Sequence, residues 1–579
     1  MLLRTIALDY DGTIATNGVL HPKVREAIRE ARNAGLLVII VTGRILRELR
    51  RVAGDLSFVD AVVAENGAVI LLSNSHRRML VPPPFPALLN ELSARGIEFV
   101  VGRCLVDLDA EHAHTVLSII EELGMPLAIS FNRNRIMVLP QSVSKSSGIR
   151  QILDILGTSI HNALGIGDAE NDYELLQCCE YGVTVEWAPN FLKDKADFVI
   201  PGEGPESVAE YICKISSETR LPLGVRRHRK LILESIAGQA PLEIAIRGRN
   251  ILVAGDTKSG KSWLAGLLCE QMILQNYTVL IFDPEGDYGS LQSLPNTIVL
   301  GGEKLLPALD DLMEILHQGL SIILDLSHLD HDDKVSFIRQ HLPLTAQYRR
   351  HKGYPHYILL DECHYFLDCL DCEGLLDTEL GAYILVTYRP SQLPKELLQS
   401  FEAVFATRIV EKNEVEVVEQ LAAPPSVKGD LYKLLGNLET TEAALLPPTE
   451  EVKGEPYRFT VAPRLTQHVR HRTKYFEKPT DLEQAFIFTD DGTPTGACAR
   501  TLRELAASAN SENFTSITGH LQRHDFSKWI SSTFKDSDLA NVVRKLESLH
   551  CKDLTASTFS KKLSAEIEKK YNSNSKLIE

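Results

Sequence analysis

The sequence lacks any uninterrupted apolar run approaching the roughly 18 residues that a membrane-spanning helix requires. Its first residues, "MLLRTIALDYDGT", hold one early Arg and a short apolar stretch. They contain neither a long hydrophobic segment nor a small-residue cleavage site, so they read as a buried strand and not as a secretory leader. A cytoplasmic protein with no membrane partner is the expectation. Cysteine is sparse, 10 in 579 residues, too few for a disulfide framework and suited to thiols in a reducing compartment. Basic charge is in deficit: 61 Lys and Arg face 77 Asp and Glu, a formal charge of −16. That excludes a uniformly basic surface for coating nucleic acid but leaves room for a local basic channel.

What is present is ordinary for globular chains, 44% hydrophobic and 24% charged, which excludes long disorder and fibrous structure. The length predicts three or four compact units, roughly 100–200 residues each. Two basic clusters, "RRHRK" (226–230) and "RLTQHVRHRTK" (464–474), fall where linkers are expected and read as solvated connectors. "DECHYFLDCLDC" places Cys363, His364, Cys369 and Cys372 close together, a set that could hold zinc. No second C-x-x-C follows at finger spacing, so core thiols are the plainer reading.

"RTIALDYDGT" is an apolar strand ending in two aspartates spaced by one residue. Alternate residues of a strand share a face, so Asp9 and Asp11 can point into one site. Paired carboxylates at a strand end bind a hard cation such as Mg2+, and one can attack phosphorus. A second strand, "GLLVIIVTGR", ends at Thr42, a hydroxyl suited to a phosphate oxygen. Lys145 follows in "SVSKSSG", and an acidic loop, "GIGDAEND" (165–172), follows another apolar strand. Each feature alone is a common surface turn. Their order is not.

That order, with "AENGAVI" (64–70) and "ADFVI" (196–200), resembles the haloacid dehalogenase superfamily, specifically its Cof-type phosphatases. The resemblance covers residues 1–215 and implies a Rossmann-like α/β core with an inserted α/β cap at about 76–140. It implies Asp9 as nucleophile through an aspartyl-phosphate and Asp11 as general acid and then base. Thr42 and Lys145 would bind the phosphoryl group, and Asp9, Asp11, Asp168 and Asp172 would hold magnesium. A phosphorylated small molecule or a nucleic-acid end is the substrate expected.

"RNILVAGDTKSGKS" is a strand, a glycine-bounded loop and a helix start, matching G-x-x-x-x-G-K-[ST] in its required context. Backbone N–H groups from Gly255, Asp256, Thr257, Lys258, Ser259 and Gly260 would wrap the phosphates of ATP. Lys261 would reach the β and γ groups, and Ser262 would supply a magnesium ligand. "HYILLDECHYF" ends a strand at Asp361, placed to orient magnesium, and Glu362, placed to polarise water. Asp325 in "SIILDLS" lacks a following acid and reads as a structural strand. Strands alternating with helices predict a parallel, doubly wound sheet.

With "DPEGDY" and "VTYRPSQLP", these motifs resemble the HerA/FtsK branch of P-loop ATPases over residues 225–450, a RecA-like sheet. The resemblance implies homo-hexameric rings that move DNA, with nucleotide between subunits. Arg389, and also Arg349 or Arg350, are candidates for an arginine reaching a neighbour's site. Tyr388 stands where many relatives have Gln, and the phosphatase stands where HerA helicases have an N-terminal β-barrel.

Residues 475–579 read as a small α-rich domain: a short strand, a turn and a helix, then helices broken near Lys535 and Asp536. His520, His524 and Asp525 read as solvated helix surface. The module resembles a small domain of unknown function that accompanies such phosphatases and ATPases. Jointly the motifs suggest a phosphatase and ring ATPase serving DNA processing or phage defence. The alternatives are a kinase and phosphatase pair for healing nucleic-acid ends, and a nucleotide-gated scaffold for the phosphatase.

Overall fold

A computed structural model describes the chain except residues 73–76, 133, 219, 223–228, 236–239, 247, 368–373, 423–429, 450, 467–484, 491–492, 510–517, 534–536, 551–555 and 572–579. The chain divides into two units, Met1–His468 and Val469–Glu579.

The first unit contains two large sheets. Its N-terminal sheet is built from β1 (Thr5–Leu8), β2 (Leu37–Val41), β3 (Ala61–Ala64), β4 (Val69–Leu72) and β5 (Arg77–Met79). A separate small sheet follows: β6 (Phe99–Val101), β7 (Val106–Asp109), β8 (Leu127–Asn132) and β9 (Arg135–Pro140). The chain then returns to the first sheet through β10 (Ala163–Gly167), β11 (Tyr181–Val185) and β12 (Phe198–Ile200).

Among the described residues the order of the first sheet is β12-β11-β10-β1-β2-β3-β4-β5, parallel from β12 to β3. β4 and β5 close its edge antiparallel, so residues 77–79, expected within the cap, belong to the core sheet. The central strands are apolar at successive positions and wholly buried, as expected for parallel strands covered on both faces. The small sheet runs antiparallel as β8-β9-β7-β6 and carries two helices, α1 (Pro86–Ala94) and α2 (Ala113–Glu122), over its own core of Leu88, Leu108, Ile119 and Ile136.

Helix α3 (Lys145–Leu156) starts with a capping box between Ser144 and Ser147. Gly67, at φ 108°, lets the turn after β3 press against Ser144; a Cβ there would overlap the Ser144 carbonyl. This contact fixes where Lys145 begins.

The second sheet comprises β13 (Lys230–Ser235), β14 (Leu242–Ala245), β15 (Ile251–Ala254), β16 (Val279–Asp283), β17 (Thr297–Gly301), β18 (Ser321–Asp325), β19 (Tyr357–Leu360), β20 (Tyr383–Thr387), β21 (Ala403–Ala406), β22 (Glu442–Leu446) and β23 (Tyr457–Thr460). Its order among the described residues is β14-β13-β23-β22-β21-β15-β20-β19-β16-β18-β17. Strands β21 to β17 are parallel, but β22, β23, β13 and β14 are antiparallel. The sheet is therefore mixed, where the alternating pattern predicted a parallel one, and it continues past residue 450. Helix α4 (Lys261–Leu274) follows β15 and helix α5 (His331–Lys352) precedes β19.

The two sheets meet at the N-terminal ends of their strands. Glu180 precedes β11, and its buried carboxylate accepts hydrogen bonds from Arg229 and from the Tyr277 hydroxyl at 3.0 Å. His161 Nδ1 lies 2.9 Å from the same carboxylate, and its ring stacks on Tyr277 at 3.9 Å. His356, preceding β19, accepts the Thr278 N–H at Nδ1 (2.8 Å) and reaches Ser159 through Nε2 (2.8 Å). Burial, with Arg229 beside it, holds His161 down at about 4. One apolar cluster runs through the seam, joining Ile6 and Leu164 to Tyr277, Ile281 and Tyr357. Arg229 was expected in a solvated connector. It is buried, because it neutralises Glu180.

Arg464 in the other basic cluster is also buried. It packs over Trp263 and pairs with Thr466, and Glu270 accepts the Leu465 and Thr466 N–H groups. Residues 226–228 and 467–474 of the two clusters lie outside the described residues.

The second unit begins with a hairpin, β24 (Phe486–Asp490) and β25 (Thr493–Ala499), where only the first strand was expected. Helices α6 (Leu502–Ala509), α7 (Thr518–Arg523), α8 (Asp525–Thr533), α9 (Ser537–His550) and α10 (Ala556–Tyr571) pack over Phe486, Phe526 and Trp529. The break expected at Lys535 and Asp536 lies outside the described residues. His520 is not solvated surface. It is buried beside Phe486, accepts the Thr489 N–H at Nε2 (2.9 Å) and contacts Asp525 at 2.8 Å, a core contact joining hairpin to helices. His524 lies 3.2 Å from the buried Glu547 carboxylate.

Removing one partner of a buried ion pair leaves the other charge uncompensated, a cost of about 3–5 kcal/mol. Glu180→Ala, which strands Arg229, should lower the urea midpoint of the first unit accordingly. An unchanged midpoint would show that the two sheets do not depend on this seam.

Candidate active sites

Asp9 follows β1, Thr42 follows β2 and Asp168 follows β10, so the parallel sheet delivers all three to its C-terminal edge. This is the edge at which open α/β sheets hold ligands. Lys145 opens α3 beneath them. Its Nζ lies 2.6 Å from Asp9 Oδ1 and 2.5 Å from Asp172 Oδ1, and all three residues are buried. Asp172 Oδ2 accepts the N–H groups of Asp168 and Ala169, each at 2.9 Å, which shapes the acidic loop. The Thr13 hydroxyl donates to Asp168 Oδ1 at 2.9 Å.

Burial and Asp172 push the Asp9 carboxyl well up, against the pull of Lys145. Burial would lower Lys145, but Asp172 and Asp9 more than offset it, and its amine is held above the usual range. One carboxylate oxygen each from Asp9, Asp168 and Asp172 lies within 4.8 Å of the others, the geometry of a small cation site. Three buried carboxylates around one ammonium leave excess negative charge, so the residues fit a hard divalent ion.

Asp11 departs from the expected ligand set. Its carboxylate turns to Arg44, with Nε 2.5 Å and Nη2 2.6 Å away, and it stands outside the acidic trio. The bidentate fork turns the Asp11 carboxylate to the outer side of the site, where both partners are about one-third exposed. Arg44 was not singled out from the sequence, although it ends "VTGR" two residues after Thr42. The cap also contributes unforeseen groups: Asp107, Asn132 and Arg135 line a cavity of about 220 Å³ together with Asp9, Asp11 and Thr42.

The second site sits where β15 passes into α4. Lys258 and Gly260 adopt φ of 65° and 99°, and Thr257 and Lys258 form the exposed tip of the loop. Gly255 leaves room for Thr407, whose hydroxyl lies 2.6 Å from Ser259 Oγ. The Asp256 N–H donates to the Arg408 carbonyl at 2.8 Å. Lys261 Nζ donates to the Asp256 carbonyl at 2.9 Å, inside the cradle where phosphates would lie. Ser262 Oγ is 3.5 Å from Asp361 Oδ2.

Burial, Glu362 and Asp287 raise Asp361 well above the usual range, and burial raises Glu362 against the pull of Lys261. Glu362 Oε2 is buried without a hydrogen-bond partner. A polyphosphate with a divalent ion would relieve this crowding, so the residues fit ATP and Mg2+. Asp283 is structural: it accepts the N–H groups of Gly286, Asp287 and Tyr288 at 2.7, 3.0 and 2.9 Å.

Arg389 follows β20 and is partly exposed, its guanidinium 5.4 Å from the Tyr388 ring centre. Arg349 cannot reach a neighbouring subunit. It is buried, donates to the Ala382 and Gly381 carbonyls at 3.1 and 2.8 Å, and lies over Tyr383. Arg350 pairs with Asp377. Cys363 is a buried thiol pushed well up by burial and by the Glu362 and Asp361 charges. Among the described residues Cys363 and His364 form no ligand group, and Cys369 and Cys372 lie outside those residues. No helix of the described residues is long and apolar enough to cross a membrane.

Comparison with known proteins finds two separate matches within the first unit. Residues 6–87 and 86–212 match a family described as haloacid dehalogenase-like hydrolase, and residues 238–355 match the central domain of helicase HerA. Phosphoglycolate phosphatase 2 of Saccharolobus solfataricus is 29% identical over 220 residues, covering 37% of this chain and 92% of that protein. A phosphoglycolate phosphatase of Methanothermobacter thermautotrophicus is 28% identical over 218 residues, covering 36% and 97%. A Bacillus subtilis 5-amino-6-(5-phospho-D-ribitylamino)uracil phosphatase is 23% identical over 235 residues, covering 36% and 94%. A haloacid dehalogenase-like region and a HerA-like region are thus fused in one chain.

If the acidic trio holds a cation, Asp168→Asn should weaken Mg2+ binding at least about tenfold by calorimetric titration while the fold persists. Unaltered affinity would remove Asp168 from the ion.

Proposed function

We propose that the chain combines a magnesium-dependent phosphohydrolase with an ATP-hydrolysing ring motor. The observation that carries the first activity is the buried Lys145 ammonium held between Asp9 and Asp172 at a strand's C-terminal edge. Asp9 would attack phosphorus to give an aspartyl-phosphate, Lys145 and Thr42 would hold the phosphoryl oxygens, and Asp11 would protonate the leaving oxygen. The Arg44 fork fixes the direction of Asp11. Magnesium held by Asp9, Asp168 and Asp172 would neutralise charge on the phosphoryl group.

The cavity of about 220 Å³ is smaller than the roughly 300–1,000 Å³ typical of sites for larger ligands. It favours a phosphate monoester with a short head over a nucleic-acid end. The curated relatives named for phosphoglycolate support the same size class.

For the second activity, Lys261, Ser262, Asp361 and Glu362 converge around the loop after β15. Glu362, with a buried oxygen left unpaired, suits water activation better than transfer to a substrate hydroxyl, which favours an ATPase over a kinase and over a passive scaffold. The HerA-like match supports a hexameric ring acting on DNA, in processing or phage defence. In such a ring Arg389 would reach the neighbour's γ-phosphate, a contribution worth roughly 10³ to 10⁵ in other P-loop enzymes.

Asp9→Asn should abolish phosphate release from short monoesters, with phosphoglycolate in the panel, and leave ATP turnover intact. Wild-type release would remove Asp9 from the chemistry. Lys261→Ala should lose ATP binding, whereas Glu362→Gln should bind ATP and fail to hydrolyse it. Adding Glu362→Gln chains to wild type should depress turnover beyond simple dilution. Proportional dilution, with only monomers by mass photometry, would overturn the ring.

A further inference from the structure

Two buried polar atoms beside the second site have no hydrogen-bond partner: Glu362 Oε2 and His364 Nε2. Burying such groups without compensation costs about 1–3 kcal/mol each, so a fold that keeps them there is holding them for something. Their placement is specific. Glu362 sits at φ 47°, a left-handed conformation that side chains rarely adopt, and it starts the single helical turn that carries His364. That turn returns His364 towards the carboxylate. His364 Nδ1 lies 3.6 Å from Glu362 Oε2 and 3.1 Å from Thr387 Oγ1.

Thr387 closes β20, the strand paired with β19, and its hydroxyl accepts the Arg389 N–H at 2.9 Å. The imidazole is buried and packed edge-on against Tyr388, with ring centres 4.4 Å apart, and Tyr388 in turn meets the Tyr365 hydroxyl at 3.2 Å. The ring therefore has a fixed orientation, with one nitrogen between the end of β20 and the carboxylate that follows β19.

We propose that His364 is a positioning residue for Glu362. Its Nδ1–H meets Thr387 Oγ1 at 3.1 Å and stands 3.6 Å from Glu362 Oε2, which a small shift of the carboxylate would bring within hydrogen-bond reach, so the aim of the carboxylate at the attacking water is set by the end of the neighbouring strand. The hydroxyl that receives this bond also holds the backbone of Arg389. One subunit's water-directing acid and the arginine it presents outward are thereby tied through a single imidazole. This rests on the ATPase reading of the second site, and wild-type ATP turnover tests that reading before any variant is compared.

Groups that orient a functional side chain through a hydrogen bond contribute roughly 10- to 100-fold. His364→Ala should lower kcat for ATP by about that factor, with KM and the affinity for a fluorescent ATP analogue within twofold of wild type. His364→Asn places an amide N–H near the Nδ1 position and should restore most of the turnover. His364→Gln extends its amide towards the Nε2 position and should not. Equal recovery by Asn and Gln, or a parallel loss of nucleotide binding, would each overturn the proposal in favour of a packing role. Wild-type protein that binds ATP without hydrolysing it would sink the ATPase reading itself.

Discussion

Glu180 has no water to face. Its carboxylate is buried and is balanced by Arg229, which the chain brings back from beyond the end of the phosphatase-like module. The desolvation of both ions is recovered only if the geometry is complete, and here Tyr277 and His161 occupy the remaining positions. Each of the four comes from a different segment, two on either side of the boundary. The pair therefore specifies the relative placement of the two sheets more than it adds to their stability. Because His161, Glu180, Tyr277 and, beside them, His356 precede β10, β11, β16 and β19, the seam lies at the N-terminal ends of these strands.

Parallel sheets place their chemistry at the opposite ends. Asp9, Thr42 and Asp168 stand where β1, β2 and β10 finish, and the glycine loop, Asp361 and Thr387 stand where β15, β19 and β20 finish. With the sheets joined at their other ends, the seam and the two clusters of site residues lie at opposite ends of the strands.

Both clusters of site residues were legible in the sequence because each is a local signal: a strand, a turn and a polar residue at its end. Asp9, Lys145, Asp168 and Asp172 announced themselves by order, and the glycine loop by spacing. What the sequence hid depends on distance. Arg44 pairs with Asp11 from 33 residues away, and nothing in "VTGR" says which carboxylate the arginine will meet. Arg229 looked solvated because its partner lies 49 residues upstream. His520 looked exposed because helical periodicity does not reveal the hairpin folded onto it. The mixed edge of the second sheet was missed in part for a related reason: β13 pairs with β23, which lies far along the chain, and no local pattern encodes such pairing.

The two sites share an electrostatic plan, one lysine among several buried acids, yet they use it differently. Lys145 is clamped between two carboxylates at 2.5 and 2.6 Å, and those charges outweigh its burial. Lys261 donates to a neutral carbonyl at 2.9 Å, and burial outweighs Glu362 and Asp361 to lower it. A carbonyl is a weaker partner than an ionised phosphate oxygen, so Lys261 gains by exchanging one for the other. Lys145 has no such gain to make and is ordered in advance. The first site is therefore ordered before any ligand binds, which suits the phosphoryl chemistry proposed for it. At the second site the raised Asp361 and Glu362 and the lowered Lys261 are groups that a bound polyphosphate with a divalent ion would satisfy.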